Sequence, residues 1–280
     1  MLDANATSAS QLRFQYAQII ANACPSTLYS EIALTGSSAR GIATDDSDIE
    51  INFWVHQLPS LEARRDWVKS LETQDVIAQN QPRPDNSYWV NARYKGIELE
   101  AGWQTFDDLD VALTQLIEAQ TTDHKALRLA ELVLSAKSLL GAGVLDKWQP
   151  ILRNYPDDLA HKLIEDALSN WLTPNWLDNH LAEKTYKDDI HCIWRLIFAL
   201  NHQWEINWKY AHHSLPVLEI YPKNIANRLG IIQTLPVEKA SQMMLQLIQE
   251  TLELIKSNYR QSKLVSQNLN QVQHLLDLSS

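Results

Sequence analysis

The sequence predicts an α+β protein in which a small α/β domain is followed by an all-helical domain. Three observations support this prediction. Between residues 28 and 104, apolar and polar residues alternate in short runs, which is typical of half-buried strands. Beyond residue 106, apolar residues instead recur at helical spacing to the end of the chain. Only 7 of the 280 residues are glycine, which favours helices over a turn-rich sheet.

The predicted elements of the first domain follow one another closely. Residues 10–23 have the apolar spacing of a helix, which Pro25 ends. A short strand is predicted over 28–35, and the small-residue turn 36–41 interrupts it. Clean alternation then predicts a strand over 48–56. The remaining elements are a helix over 61–71 and two strands, 88–94 and 97–103, with a hairpin turn at Lys95-Gly96.

The second domain is predicted to be entirely helical. No low-complexity linker separates it from the first domain, so the change of periodicity itself marks the boundary. We therefore predict one domain over residues 1–105 and another over 106–280. The expected helices are 109–120, 124–140, 160–172, 188–208, 236–258 and 265–276.

Composition excludes several classes of protein and partner. The formal net charge is -10, with 24 Lys plus Arg against 34 Asp plus Glu and no cationic run, which disfavours nucleic acid as a partner. No apolar stretch approaches the roughly 20 residues of a membrane span. The first ten residues also lack the basic and apolar regions of a secretory signal. Cys24 and Cys192 have no metal-binding spacing and suit reduced thiols in the cytoplasm.

An acidic strand and a Gly-Ser turn are the candidate functional residues. On a strand, Asp48 and Glu50 project to the same face with Cα atoms roughly 6–7 Å apart. Two adjacent carboxylates repel each other unless a cation lies between them, and Mg²⁺ prefers such oxygen ligands. Gly36 permits a close backbone approach, and N–H groups at a helix start bind phosphate. Together with Ser37, these residues predict a site for a nucleoside triphosphate.

Residues 36–50 have the form GSxARGxAxxxSDxE. This pattern resembles that of the nucleotidyltransferases of the DNA polymerase β superfamily, and it is especially similar to the small-molecule and minimal nucleotidyltransferases, including the aminoglycoside adenylyltransferases. The resemblance is specific over about residues 33–55. It implies a mixed sheet in the first domain, two Mg²⁺ ions, ATP as the nucleotide donor, and a helical domain that shapes the acceptor site.

The resemblance further implies a third carboxylate on a strand beside Asp48 and Glu50, which would bind the metal ions with them. Glu98 and Glu100 are the candidates, and periodicity does not choose between them because both point to one side of their strand. The hydrophobic-acid-hydrophobic segment of the adenylyltransferases is similar to the residues around Glu100, which favours that residue. Glu98 remains the alternative.

The same resemblance assigns expected roles in nucleotide binding. Gly36 and Ser37 would bind the β or γ phosphate. Arg40 has two alternatives, a cation beside the phosphates or a brace paired with the acids at positions 45 and 46. Glu131 is a candidate catalytic base from the second domain, with an ordinary helix charge as the alternative.

These residues lead to one principal hypothesis, an Mg²⁺-dependent transfer of AMP from ATP to a hydroxyl of a small molecule, with release of pyrophosphate. The expected partners are thus a nucleoside triphosphate and a small-molecule acceptor, without a membrane. Two alternatives stand beside it. One is a protein-AMPylating enzyme of the antitoxin type, and the other is a nucleotide-binding regulator that has lost turnover. The sequence predicts neither the acceptor nor an oligomeric state.

Overall fold

The computed structural model describes residues 2–173, 183–207, 210–259 and 262–277. The chain divides into two units. The first comprises Met1–Leu116 and Asp123–Asn154, and the second comprises Ile117–Thr122 and Tyr155–Ser280. The first unit thus contains residues that the predicted boundary at 105 assigns to the helical domain.

The first unit contains a single mixed sheet. Its strands are β1 (Glu31–Leu34), β2 (Ile49–Val55), β3 (Gln74–Ala78), β4 (Tyr88–Tyr94), β5 (Ile97–Thr105) and β6 (Lys137–Gly141). They lie in the order β3-β4-β5-β2-β1-β6, with β2 and β5 parallel and the other neighbours antiparallel. The α+β class, with a mixed sheet followed by a helical region, is confirmed.

The helices of the first unit begin at residues that suit helix starts. Thr7 caps the first helix by accepting a 3.1 Å hydrogen bond from the Ser10 N–H, and Ser60 accepts one of the same length from the Ala63 N–H. The helices are α1 (Ser8–Asn22), α2 (Gly36–Ala39), α3 (Leu61–Ser70), α4 (Phe106–Ile117), α5 (His124–Ser135) and α6 (Val144–Leu152), with a 3₁₀ turn at Ser26–Leu28.

One face of the sheet forms the core of the first unit, where α1 and α3 cover it. Phe53 of β2 stacks on Trp103 of β5, with ring centroids 4.5 Å apart, and Trp67 of α3 packs edge-on against both rings. Ile20 of α1 belongs to the same buried cluster. Because side chains alternate along a strand, this packing turns the residues between them toward the other face.

The prediction of a helix over 124–140 is wrong beyond Ser135. The backbone becomes extended at Ala136, with ψ 149°, and the next residues form β6 along the edge of β1. Leu139 and Leu140 pack against the core of the first unit. An antiparallel ladder with β1 satisfies the edge N–H and C=O groups that a continued helix would leave open. Strand β3 and helix α6 were not predicted either.

The described part of the second unit consists of helices and their connections. Its core contains Trp171 and Trp194, whose indole N–H groups donate to Asp189 Oδ1 at 2.9 Å and to the Ile206 carbonyl at 2.6 Å. The helices are α7 (Asp157–Asn170), α8 (Glu183–Leu200), α9 (Ala211–Ser214), α10 (Ile225–Ile232), α11 (Val237–Asn258) and α12 (Lys263–Asp277), with a 3₁₀ turn at Leu215–Val217.

Helix α8 ends at Leu200, before the predicted end at Trp208, which lies outside the described residues. No helix in the described part of the chain combines the length and the apolar character that crossing a bilayer requires.

Candidate active site

The register of β2 and β5 brings the predicted acids to one face of the sheet. Glu50 is the direct Cα partner of Glu100 in this parallel pair, where neighbouring strands lie about 4.8 Å apart. Asp48 lies two residues before Glu50, just before β2 begins, and its charge acts on both Glu50 and Glu100. This face is opposite to the one that packs on α1 and α3. The three acids therefore come from neighbouring parts of the sheet, although they are up to 52 positions apart in the sequence.

The structure also distinguishes between the two candidates for the third acid. The paired part of β2 and β5 begins at Leu99, so Glu98 lies before it and is exposed. The Cα partner of Glu98 is Arg93, on the far side from β2. Glu100, in contrast, is half-buried beside Glu50. Geometry thus favours Glu100, as the sequence pattern does.

Burial and repulsion raise the pKa of Glu50. Burial is the larger cause, and with the nearby charge of Asp48 it raises the pKa to about 7. The charge of Arg40 and a hydrogen bond from Thr35 lower it, while Glu100 raises it further. The charged form of Glu50 is therefore disfavoured, which is the condition that a bound cation relieves.

The pKa of Glu100 is raised as well. Burial is again the first cause, and the charges of Asp48 and Glu98 add to it, whereas the charge of Arg83 opposes them. Since Glu50 and Glu100 are both affected by Asp48, the three acids share one electrostatic environment.

The Gly-Ser turn lies directly against the acidic strand. Gly36 has φ +67°, a backbone conformation that favours glycine, and a Cβ atom there would lie 2.5 Å from Oε2 at the end of the flexible Glu50 side chain. Ser37 is buried at the start of α2, and the Ser38 hydroxyl donates to the Asp48 carbonyl at 3.4 Å. The two halves of the sequence motif are therefore in contact, with the Glu50 carboxylate over the first residue of the turn.

Helix α1 holds the loop that leads into β2, a role the sequence analysis missed. Arg13 is 2% exposed, and its guanidinium donates to the carbonyls of Ser47 at 2.8 Å and Asp45 at 2.7 Å. The Ser10 hydroxyl accepts from the Ala43 N–H at 2.9 Å. The sequence feature that could have indicated this role is an arginine at a position where the helix is buried. Burying a charged side chain is costly unless the charge is paired or hydrogen-bonded.

Arg40 forms an ion pair with Glu131, a partner that the sequence analysis did not predict for it. Its Nε donates to Glu131 Oε1 at 2.7 Å, and its Nη2 donates to Glu131 Oε2. Both side chains are largely buried, with 14% exposed. The pair ties the end of α2 to α5, while the charge of Arg40 also acts on Glu50. Glu131, considered above as a base, is thus the partner of Arg40.

A second arginine, also missed from the sequence, lies beside the third acid. The Nη2 of Arg83 is 3.6 Å from Glu100 Oε1. Its guanidinium carbon is 4.1 Å from the ring centroid of Trp89, which in turn packs closely over Gly102. No spacing rule in the sequence connects Arg83 with Glu100.

The donor set fits a hard divalent cation in its chemistry. Three carboxylates on one face offer the oxygen ligands that Mg²⁺ prefers. Asn91, the Cα partner of Glu100 on β4, adds a buried Oδ1 without a hydrogen-bond partner. As the side chains stand, however, no group of three or more His, Cys, Asp or Glu among the described residues is arranged to hold a metal ion. Side-chain rotation is therefore needed before these acids can share one ion.

Comparison with known proteins gives limited information. No family model and no curated protein sequence matches the chain. One similar solved structure is that of a nucleotidyltransferase-like protein from Exiguobacterium sibiricum 255-15. The two chains are 13% identical, and the similarity covers 96% of this chain and 90% of that one with a TM-score of 0.33. A similarity this distant carries no argument about function.

Proposed function

We propose that this chain is an Mg²⁺-dependent nucleotidyltransferase that transfers AMP from ATP to a hydroxyl group of a small molecule and releases pyrophosphate. The observation that carries the proposal is the alignment of Glu50 with Glu100, with the Glu50 carboxylate against Gly36. This arrangement combines a set of acidic ligands with a turn whose first N–H groups have no partner within their helix. A nucleoside triphosphate with its cations requires both parts.

Each residue of the site has a defined task in this reaction. Asp48, Glu50 and Glu100 would hold Mg²⁺, which when bound neutralises charge on the phosphates and polarises the α-phosphoryl group. Gly36 and Ser37 bind the β and γ phosphates through backbone N–H groups and the hydroxyl, and they orient the α-phosphorus for attack. The acceptor oxygen forms a bond to that phosphorus as the bond to pyrophosphate breaks. Glu100 accepts the hydroxyl proton.

The net charge supports a cationic acceptor. A formal charge of -10 attracts positively charged small molecules and repels polyanions.

The decisive experiment is Asp48→Asn, assayed for pyrophosphate release from ATP with a panel of amino-sugar and other hydroxylated acceptors. We expect at least about a 100-fold loss of turnover, because even indirect partners of metal ligands typically contribute 10–100-fold. Asp46→Asn, an exposed acid two positions earlier, is the matched control and keeps the wild-type rate. Thermal melting of both variants verifies that they are folded. Wild-type turnover in Asp48→Asn would refute the proposal.

A second candidate is a nucleotide-binding regulator without turnover. The observation that favours it is that the three acids are not arranged around a common point. The same assay separates the two candidates, since a regulator binds ATP but releases no pyrophosphate with any acceptor.

A further inference from the structure

We propose that Arg83 is the resident counter-cation of Glu100, which a divalent cation must displace before Glu100 can join Asp48 and Glu50. This inference rests on the proposed function. It concerns the contact between Glu100 and Arg83, which lies in the loop before β4.

The Arg83 guanidinium is held in position by its neighbours. It stacks on the Trp89 ring, which also packs closely on Gly102, where a Cβ would lie 2.7 Å from the indole. The Trp89 indole N–H donates to the Ser87 hydroxyl at 2.6 Å, and the Arg83 N–H donates to the Ser87 carbonyl at 2.7 Å. Both the ring and the backbone therefore hold the cation beside Glu100.

The contact between Arg83 and Glu100 is suited to exchange. Its N–O distance is 3.6 Å, and the two side chains are 34% and 22% exposed. The pair between Arg40 and Glu131 differs in every respect, since it is bidentate and each side chain is only 14% exposed. Long, partly exposed ion pairs contribute little free energy, so a divalent ion can compete for Glu100 while the guanidinium stays stacked on Trp89.

The Arg83–Glu100 contact also affects the charge balance of the site. With Arg83 neutralising Glu100, the site carries less uncompensated charge in the absence of a cation. Once Glu100 turns to a divalent ion, Arg83 remains in place as a positive charge near the acids. The ion pair between Arg83 and Glu100 thus lowers the repulsion among the three carboxylates, and it also lowers the affinity of the site for the divalent ion.

The test measures Mn²⁺ binding to the nucleotide-free protein from the concentration of free Mn²⁺ in electron paramagnetic resonance titrations. Arg83→Gln removes the competing charge and is expected to tighten Mn²⁺ binding by about two- to fivefold, the range for a partly exposed ion pair. Arg93→Gln on β4 is the matched control, because it changes the net charge of the protein by the same amount. Arg93 contacts the Gly96 carbonyl and Asp75 instead, so Mn²⁺ affinity stays as in wild type.

Arg83→Lys separates charge from stacking. Lysine keeps the competing charge, so this variant is expected to bind Mn²⁺ as wild type does. Equal tightening in the Lys and Gln variants would overturn the counter-cation role, and so would unchanged affinity in Arg83→Gln. Asp48→Asn tests the proposed function separately, because it abolishes Mn²⁺ binding if the acidic site is correct. Absence of Mn²⁺ binding in wild type and in Arg83→Gln would overturn both proposals together.

Discussion

The two faces of the sheet in the first unit consist of alternate residues of the same strands, yet their environments differ. On β5, Leu99 and Trp103 are fully buried on the face that α1 and α3 cover. Glu98 and Glu100 alternate with them and keep contact with solvent on the other face. On β2, Phe53 and Glu50 show the same division. The alternation of side chains along each strand therefore provides both the buried core that stabilises the unit and the polar residues of its candidate site.

The largest expected effect comes from the apolar face. Trp103→Ala removes the stack on Phe53 and the 2.9 Å hydrogen bond from the indole N–H to the Leu28 carbonyl. We expect it to lower the free energy of unfolding by about 3–5 kcal/mol, as measured by urea denaturation. Glu98→Gln, on the exposed face of the same strand, should change it by less than about 0.5 kcal/mol. Similar losses in the two variants would contradict the division between the faces.

The strands that alternate cleanly could be predicted from the sequence. Strands β2 and β4 and the hairpin to β5 were found because a half-buried strand repeats every two residues. Strand β6 was missed for the opposite reason, since its Leu139-Leu140 pair also satisfies the helical spacing of the preceding residues. Only the open edge of β1, which the sequence does not reveal, decides in favour of a strand.

The candidate site shows the same limit. Asp48, Glu50 and Gly36 are close together in a local pattern, so they could be found from the sequence. The choice of Glu100 over Glu98 depends on the register between β2 and β5, which is a tertiary property. Arg13 and Arg83 act through contacts with residues elsewhere in the chain, and no spacing rule connects them with their partners.

A smaller effect is expected where the polar face meets the Gly-Ser turn. Gly36→Ala forces alanine into φ +67° and places its Cβ 2.5 Å from Glu50 Oε2. We expect a loss of about 1–3 kcal/mol in the free energy of unfolding. Gly230→Ala is the matched control, because Gly230 lies in α10 with open space around its missing Cβ. Alanine there should stabilise by about 0.5–1 kcal/mol, since it is the better helix former.

The two glycine substitutions are expected to change the free energy of unfolding in opposite directions, and this difference is the informative result. If Gly36→Ala were neutral in thermal melting, the backbone at this position would not be held at φ +67°.

The smallest effect concerns Glu31, where the polar face is covered by protein. Glu31 is 1% exposed, and its Oε2 accepts hydrogen bonds from the N–H groups of Val144 at 2.6 Å and Leu145 at 3.3 Å. Burial raises its pKa, and the charge of Asp146 adds to this, while the two hydrogen bonds oppose it. An acid whose pKa is raised by folding contributes stability below its ordinary pKa, and this is lost as the pH rises through the folded value.

Glu31→Gln removes this titration and can keep both hydrogen bonds through its amide oxygen. Wild type should therefore lose stability relative to Glu31→Gln as the pH rises from 4 to 7, which paired urea denaturations at the two pH values measure. A relative gain of wild type with rising pH would mean that the α6 N–H groups outweigh burial, so that a covered carboxylate on this face is stabilised as an anion.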